Sequence, residues 1–317
     1  MTRFLRLYAW LRWQWIALCI VGFVLAILIG TSIHAYTRLD SIIFPLSDPT
    51  CCQNPTDANF GVKSIQLKTT DRISLACWYL PSHNHAAIAV LHGEGGNRKS
   101  MLPHITMLAK EGYGVLTCDR RAHGASTGTQ RSWGWLDVND VEPMLSSILL
   151  DPNVDPNRIG VFGFSMGAQV ALRAATRYPA IRAVIADGAV PATTGDLFPP
   201  ASVTEWPRAS IDWLDNWFVD RFLEQTLHMS APMPVVQALA QRPLHPLLLI
   251  ATGQTGNGRE LRQVEWFYNV AQQPKQIWEL PDVGHGEGLA KYPSAYSQRI
   301  VNFFNSALLE RSPANQP

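Results

Sequence analysis

A stretch at residues 158–169 restricts the possible folds of this chain more strongly than any other part of it. It reads Arg-Ile-Gly-Val-Phe-Gly-Phe-Ser-Met-Gly-Ala-Gln: an apolar run that predicts a buried strand, a serine, and small residues that favour a helix. Gly163 and Gly167 stand two positions before and after Ser165, where any side chain would collide with the backbone of a strained turn. The helix N-terminus would favour negative charge at the serine. The Gly-x-Ser-x-Gly pattern therefore predicts a reactive serine between strand and helix.

Apolar segments and helical patterns alternate on both sides of this stretch. Alternating residues at 62–80 predict two antiparallel strands, and apolar runs predict buried strands at 86–91, 114–118, 183–186, 247–251 and 276–280. Such alternation indicates right-handed crossovers and a mostly parallel central sheet flanked by helices, which is an α/β fold.

Residues 189–245 interrupt the pattern with proline-rich and tryptophan-rich sequence. An insertion between two strands of an open α/β sheet lies over the carboxyl ends of the strands, where ligands bind. We interpret it as a helical cap or lid whose aromatic residues shape the substrate pocket. In the alternative, it is a structural excursion whose tryptophans only pack against the core.

The N-terminus has the composition of a membrane segment. Residues 1–14 contain Arg3, Arg6 and Arg12 but no acid, and residues 15–33 carry no charge. At ~1.5 Å per residue this run can cross a hydrocarbon core of ~30 Å. The arginines favour a cytoplasmic N-terminus and an extracytoplasmic domain. We predict a tail and uncleaved signal anchor at 1–36, a linker at 37–61 and the folded domain at 62–317; a cleaved signal peptide is the alternative.

Charge and cysteine usage limit the partners. The chain has 26 basic and 25 acidic residues and no basic stripe, so nucleic acid is not an expected partner. No Cys-x-x-Cys spacing or histidine cluster occurs, and we expect no metal and no cofactor. If the domain is exported, Cys51 or Cys52 could pair with Cys77 or Cys118; free thiols are the other reading.

Four motifs in this strand order resemble the α/β-hydrolase superfamily over about residues 60–310. They are His-Gly-Glu-Gly-Gly-Asn at 92–97, Asp-Arg-Arg-Ala-His-Gly-Ala-Ser at 119–126, Gly-Phe-Ser-Met-Gly at 163–167 and Gly-His-Gly at 284–286. Within the superfamily the chain is similar to membrane-anchored serine hydrolases of the dienelactone hydrolase or esterase type. The resemblance implies the α/β-hydrolase fold, which hosts many substrates.

The resemblance also implies roles for particular residues. Ser165 would be the nucleophile and His285, after the last predicted strand, its general base. The oxyanion hole would consist of the backbone N–H groups of Met166 and Glu94, with the Glu94 carboxylate directed away from it.

The chain departs from the family pattern at the acid of the triad. The family places an aspartate a few residues after a glycine that corresponds to Gly253, but here Gly256 and Asn257 occupy those positions. Glu260, the next carboxylate, is our first choice for the acid, and Asp187, at the end of the preceding strand, is the alternative. A third possibility is that Asn257, or no acid at all, serves.

These observations predict a serine hydrolase that cleaves a small-molecule ester or related acyl bond through a Ser-His-acid triad and an acyl-enzyme. A hydrophobic substrate would suit the anchor and the aromatic cap. Two alternatives are a serine peptidase of the same fold and a non-catalytic, membrane-tethered binding or scaffold protein that has kept the fold.

Overall fold

A computed structural model describes residues 2–44, 61–241 and 245–310 of the chain. The chain divides into two compact units. One contains Met1–Ser41 and Pro199–Ser230, and the other, larger unit contains Ile42–Phe198 and Ala231–Pro317.

The larger unit is built around an eight-stranded sheet in the order β1-β2-β4-β3-β5-β6-β7-β8. The strands are β1 Lys63–Lys68, β2 Ser74–Leu80, β3 Ala87–Leu91, β4 Gly114–Cys118, β5 Ile159–Phe164, β6 Ala183–Asp187, β7 Leu247–Thr252 and β8 Lys275–Leu280. β2 pairs antiparallel with β1 and β4, and all other neighbours are parallel. The predicted α/β-hydrolase fold with a mostly parallel sheet is confirmed.

Helices cover both faces of this sheet, which explains why its central strands are apolar without alternation. The helices of the larger unit are α2 Leu102–Lys110, α3 Val138–Leu149, α4 Met166–Arg177, α6 Val235–Gln241, α7 Arg259–Val270, α8 Gly288–Lys291 and α9 Pro293–Phe304. Ala87 and Ala89 of β3 belong to the apolar cluster that includes α3, α4 and α7. Ile88 and Val90 belong to the cluster on the opposite face, with α2 and α9.

The smaller unit contains two long helices, α1 Thr2–Ile43, which ends in the larger unit, and α5 Trp206–Leu227. Arg12–Asp40 of α1 is long and apolar enough to cross a membrane, and its most apolar window has no buried residues. This helix near the N-terminus can be a membrane anchor or a signal sequence, and it is not the core helix of a globular domain. It continues to Ile43, beyond the predicted end of the anchor at residue 36.

The cysteines follow only part of the expected scheme. Cys77 of β2 and Cys118 of β4 are register partners and form a disulfide with each other. This pairing corrects the suggestion that either would bond to Cys51 or Cys52, because adjacent antiparallel strands already bring the two side chains together. Cys51, Cys52 and most of the predicted linker lie outside the described residues.

Candidate active site

Ser165 occupies the sharp turn that its flanking glycines predict. β5 ends at Phe164, Ser165 has a φ of +54°, and α4 begins at Met166. A Cβ at Gly163 would overlap the backbone of Gly167, and one at Gly167 would overlap the carbonyl of Leu91. Only glycine fits at both positions, so the chain can hold a non-glycine residue in this left-handed conformation with its hydroxyl at the carboxyl edge of the sheet.

A continuous chain of hydrogen bonds joins Ser165 to His285 and Glu260. The Ser165 hydroxyl lies 2.8 Å from His285 Nε2, and His285 Nδ1 lies 2.8 Å from Glu260 Oε2. With the ring proton on Nδ1, His285 donates to the carboxylate and accepts from the serine. The structure thus brings together, in one chain of contacts, the three residues that the sequence selects first.

Glu260 is positioned by groups at the end of β7. Its Oε1 accepts hydrogen bonds from the Thr252 hydroxyl at 2.6 Å and the Thr252 backbone N–H at 3.2 Å, which leaves Oε2 for His285. The hydroxyl of Thr255 accepts the backbone N–H of His285 at 2.7 Å. Asn257 lies exposed in a left-handed turn with a φ of +55°, and it is Glu260 that contacts the histidine.

The carboxylate of Asp187 has a different partner. It accepts a hydrogen bond from the Tyr296 hydroxyl at 2.5 Å and is buried. Burial raises the pKa of Asp187 to about 6, and the charge of Glu260 adds to the increase, whereas Tyr296 and His285 oppose it. The structure therefore places Asp187 against Tyr296 and leaves the imidazole to Glu260.

The local charges favour the protonated form of His285. The hydrogen bond to Glu260 raises the pKa of His285 above its ordinary value of 6.5; burial opposes this, and the charges of Glu260 and Asp187 reinforce it. Gly188, with a φ of +63°, follows Asp187 and leaves the space that the ring needs, because a Cβ there would lie 2.9 Å from His285 Cε1. An imidazole that gains a proton readily suits a general base.

The loop after β3 passes directly beside the serine. A Cβ at Gly93 would lie 3.0 Å from the Cβ of Ser165. The carboxylate of Glu94 accepts hydrogen bonds from Arg120 at 3.0 Å and Arg131 at 2.9 Å, and His123 Nε2 lies 3.1 Å from it. Burial alone would raise the pKa of Glu94, but His123 and Arg120 outweigh it and hold that pKa well below its usual value. The carboxylate is thus tied to arginines of the segment after β4, while its amide remains the expected oxyanion donor.

Two cavities adjoin these residues. One of about 310 Å³ has a largely apolar wall and is lined by Ala189, Val190, Pro191, Leu197, Phe198, Thr255, Arg259, Glu260, Gln263 and His285. A smaller one of about 190 Å³ lies against Gly93, Phe164, Asp187 and Tyr296, among others. Within the described residues no group of three or more His, Cys, Asp or Glu side chains could hold a metal ion.

Sequence reasoning missed the residues that lie against Glu260, His285 and Asp187, namely Thr252, Thr255, Gly188 and Tyr296. One of them carried a usable signal. Thr252 is the only polar residue of the otherwise apolar strand β7 and stands at its carboxyl end, where side chains meet ligands. Tyr296 had no such signal, because it comes from α9, more than a hundred residues after Asp187.

Comparisons with solved structures agree with this architecture. An esterase of Pyrococcus furiosus is 25% identical and superposes with a TM-score of 0.63 over 84% of this chain and 97% of that one. An acylaminoacyl peptidase of Pyrococcus horikoshii is 18% identical, with a TM-score of 0.59 over 80% of this chain and 43% of that one. The second likeness shows the fold alone.

Sequence comparisons find relatives of this chain as well. An uncharacterized protein of Mycobacterium tuberculosis is 25% identical over 231 residues, which cover 71% of this chain and 73% of the relative. A polyketide transferase of Stachybotrys chlorohalonatus is 30% identical over 128 residues, 39% of this chain and 43% of that protein. The family model described as the alpha/beta hydrolase family matches residues 88–298, more than half of the chain and the region that contains Ser165, Glu260 and His285. On this evidence, together with the sheet order and the elbow, the chain belongs to the alpha/beta hydrolase family.

Proposed function

We propose that this chain is a serine hydrolase that cleaves an ester or related acyl bond. The observation that carries the proposal is the unbroken hydrogen-bond chain from the Ser165 hydroxyl through His285 to Glu260. A serine hydroxyl becomes nucleophilic when a neighbouring base takes its proton, and here that base is oriented by a carboxylate. The scaffold alternative was based on the absence of an aspartate at the family position, and the 2.8 Å contact between Glu260 and His285 supports the catalytic proposal instead.

In the proposed mechanism Ser165 Oγ attacks the substrate carbonyl carbon while its proton passes to His285 Nε2. The backbone N–H groups of Met166 and Glu94 would stabilise the resulting oxyanion, each contributing on the order of 3 kcal/mol. Glu260 stabilises the imidazolium. Collapse of the tetrahedral intermediate expels the alcohol, which takes the proton from Nε2, and leaves the acyl-serine. Water, deprotonated by His285, then attacks the acyl carbon and releases the acid and Ser165.

The substrate class follows from the larger cavity beside His285. Its wall contains Val190, Pro191, Leu197 and Phe198, and its volume of about 310 Å³ suits a small or medium apolar group. We therefore propose a small-molecule ester with a hydrophobic acyl or alcohol part, and no cofactor.

We further propose that α1 anchors the chain and that the hydrolase domain is extracytoplasmic. The arginines before the apolar run favour this orientation. The disulfide between Cys77 and Cys118 supports it, since such bonds persist in oxidising compartments. Because both cysteines are buried, the chain is denatured in a thiol-trapping reagent immediately after the cells are lysed, and Cys77 and Cys118 should be unreactive before reduction. Reactive thiols at both would contradict export.

A fluorophosphonate probe tests the activated serine directly. The parent chain should be labelled and should hydrolyse p-nitrophenyl esters, whereas Ser165→Ala should lose both. Ser146→Ala, which changes an exposed serine on α3, is the matched control and should behave as the parent. Absence of labelling in the folded parent, or equal labelling of Ser165→Ala, would refute the proposed nucleophile.

A further inference from the structure

Helix α5 exposes three tryptophans along one side. Trp206, Trp213 and Trp217 are 57%, 51% and 38% exposed. At 3.6 residues per turn their side chains lie within about 40° of one another around the helix. Indole rings dominate the energetics of buried surfaces, and three exposed on one helix face mark an interaction surface. We call these three residues the tryptophan strip.

The opposite side of α5 packs against the end of α1 within the same unit. Asp215 lies 2.8 Å from both His34 Nδ1 and a guanidinium nitrogen of Arg38, and the ring of Phe222 contacts Tyr36 edge to face at 5.6 Å. Asp215 and Phe222 lie about 160–180° around the helix from the tryptophan strip. The strip therefore faces away from α1.

The contact with α1 fixes the height of α5 relative to an apolar segment. The uncharged run of α1 ends at residue 33, and His34, Tyr36 and Arg38, which contact α5, follow it directly. At ~1.5 Å per residue these contacts lie within about 8 Å of the end of the run. If α1 spans a bilayer, that interval is the headgroup region, where tryptophan and tyrosine side chains are enriched.

We propose that the tryptophan strip binds the lipid surface of the membrane that α1 crosses, so that α5 lies as an interfacial helix on the side of the hydrolase domain. This inference rests on the proposed anchoring by α1 and is independent of the catalytic proposal. The tryptophan strip would contact the boundary between phospholipid headgroups and acyl chains. This boundary accommodates an indole ring with its apolar body in the hydrocarbon and its N–H in the polar layer.

The test measures the depth of the tryptophans in lipid. The full chain is reconstituted into vesicles of phosphatidylcholine and phosphatidylglycerol that contain phosphatidylcholine brominated either near the headgroup or near the chain end. Three proteins are compared: the parent, the variant with Trp206→Phe, Trp213→Phe and Trp217→Phe, and a matched variant with Trp10→Phe, Trp13→Phe and Trp15→Phe in α1. Circular dichroism melting verifies that each is folded.

We expect bromines near the headgroup to quench the parent more than bromines near the chain end. Because each triple variant removes half of the six tryptophans expected at the two interfaces, each should lose roughly half of the quenchable fluorescence. A loss of quenchable fluorescence in the α1 variant but not in the α5 variant would overturn the proposed lipid contact of the tryptophan strip, without contradicting membrane anchoring by α1. Absence of quenching in all three proteins would overturn both. If the α5 triple variant unfolds, Trp213→Phe and Trp13→Phe are compared instead, with the same two readings.

Discussion

Replacing Glu260 by glutamine should disable the triad by changing the tautomer of His285. Thr252 donates two hydrogen bonds to Oε1 of Glu260, from its hydroxyl and its backbone N–H. In Glu260→Gln these donors select the carbonyl oxygen of the new amide for that position and turn its NH2 group toward His285 Nδ1. The imidazole must then accept at Nδ1 and carry its proton on Nε2, where Ser165 needs an acceptor.

The size of the loss follows from that geometry. An asparagine in place of a triad aspartate leaves the site intact and lowers kcat by about 10⁴-fold in a well-studied serine protease, through the same wrong tautomer. We expect a loss of the same order here, equivalent to about 5.4 kcal/mol at ~1.36 kcal/mol per decade. Asp187→Asn should cost far less, on the order of 10-fold, because Asp187 bonds Tyr296 and affects His285 only through its charge.

The assay is kcat/KM for a short-chain p-nitrophenyl ester, measured beside the melting temperature of each variant. Glu265→Gln, on the same helix, is the control and should retain parental turnover. If Glu260→Gln keeps more than a tenth of the parental kcat/KM, Glu260 is not the acid. If Asp187→Asn falls further than Glu260→Gln, the assignment passes to Asp187.

Three further outcomes are expected. The midpoint of the acidic limb of the parental kcat/KM profile should lie above pH 6.5, because His285 must be unprotonated to act and Glu260 raises its pKa. In Glu260→Gln this midpoint should shift to lower pH, and an unshifted midpoint would contradict the reasoning. Glu94→Gln should lower kcat more than it raises KM and cost on the order of 2 kcal/mol in urea denaturation, since it weakens the charged hydrogen bonds that hold the loop of Glu94, the proposed oxyanion donor. An unchanged kcat would show that this loop keeps its position without them. Reducing the disulfide between Cys77 and Cys118, which are 41 residues apart, should lower the free energy of unfolding by roughly 4 kcal/mol, as denaturation with and without reductant would measure.

The sheet was predictable because its signals are local. Each central strand is a short apolar run bounded by polar or glycine residues, and the alternation with helices leaves few topologies open. The end of α1 was not predictable in the same way. The anchor was predicted to end at residue 36, yet Arg38 pairs with Asp215, which is far away in sequence, and helical structure continues to Ile43.

The residues of the candidate site also differ in whether a local sequence signal marks them. Ser165 and His285 are recognisable because glycines that the backbone requires stand beside them in the sequence. The acid has no such marker, since its role depends on which carboxylate reaches Nδ1 once β6, β7 and their loops are packed side by side. Asp187 also has a partner that is distant in sequence, Tyr296 of α9.

The proposed position of the acid, at Glu260, accounts for the turn before α7 and for the two hydrogen bonds from Thr252. With Asn257 where the family has a carboxylate, the proposed acid, Glu260, lies three positions further along, in the first turn of α7. Gly256 and Asn257 both adopt positive φ values, which turns the loop so that α7 can begin at Arg259. The longer glutamate side chain then reaches back to the imidazole. Because glutamate has more rotational freedom than aspartate, fixing it in one conformation costs more entropy. Thr252 removes that freedom by holding one carboxylate oxygen with two donors. On this reasoning Asn257→Asp should not rescue Glu260→Gln, because the exposed left-handed turn at residue 257 is not held by Thr252, and restored turnover in the double variant would show the reasoning to be wrong.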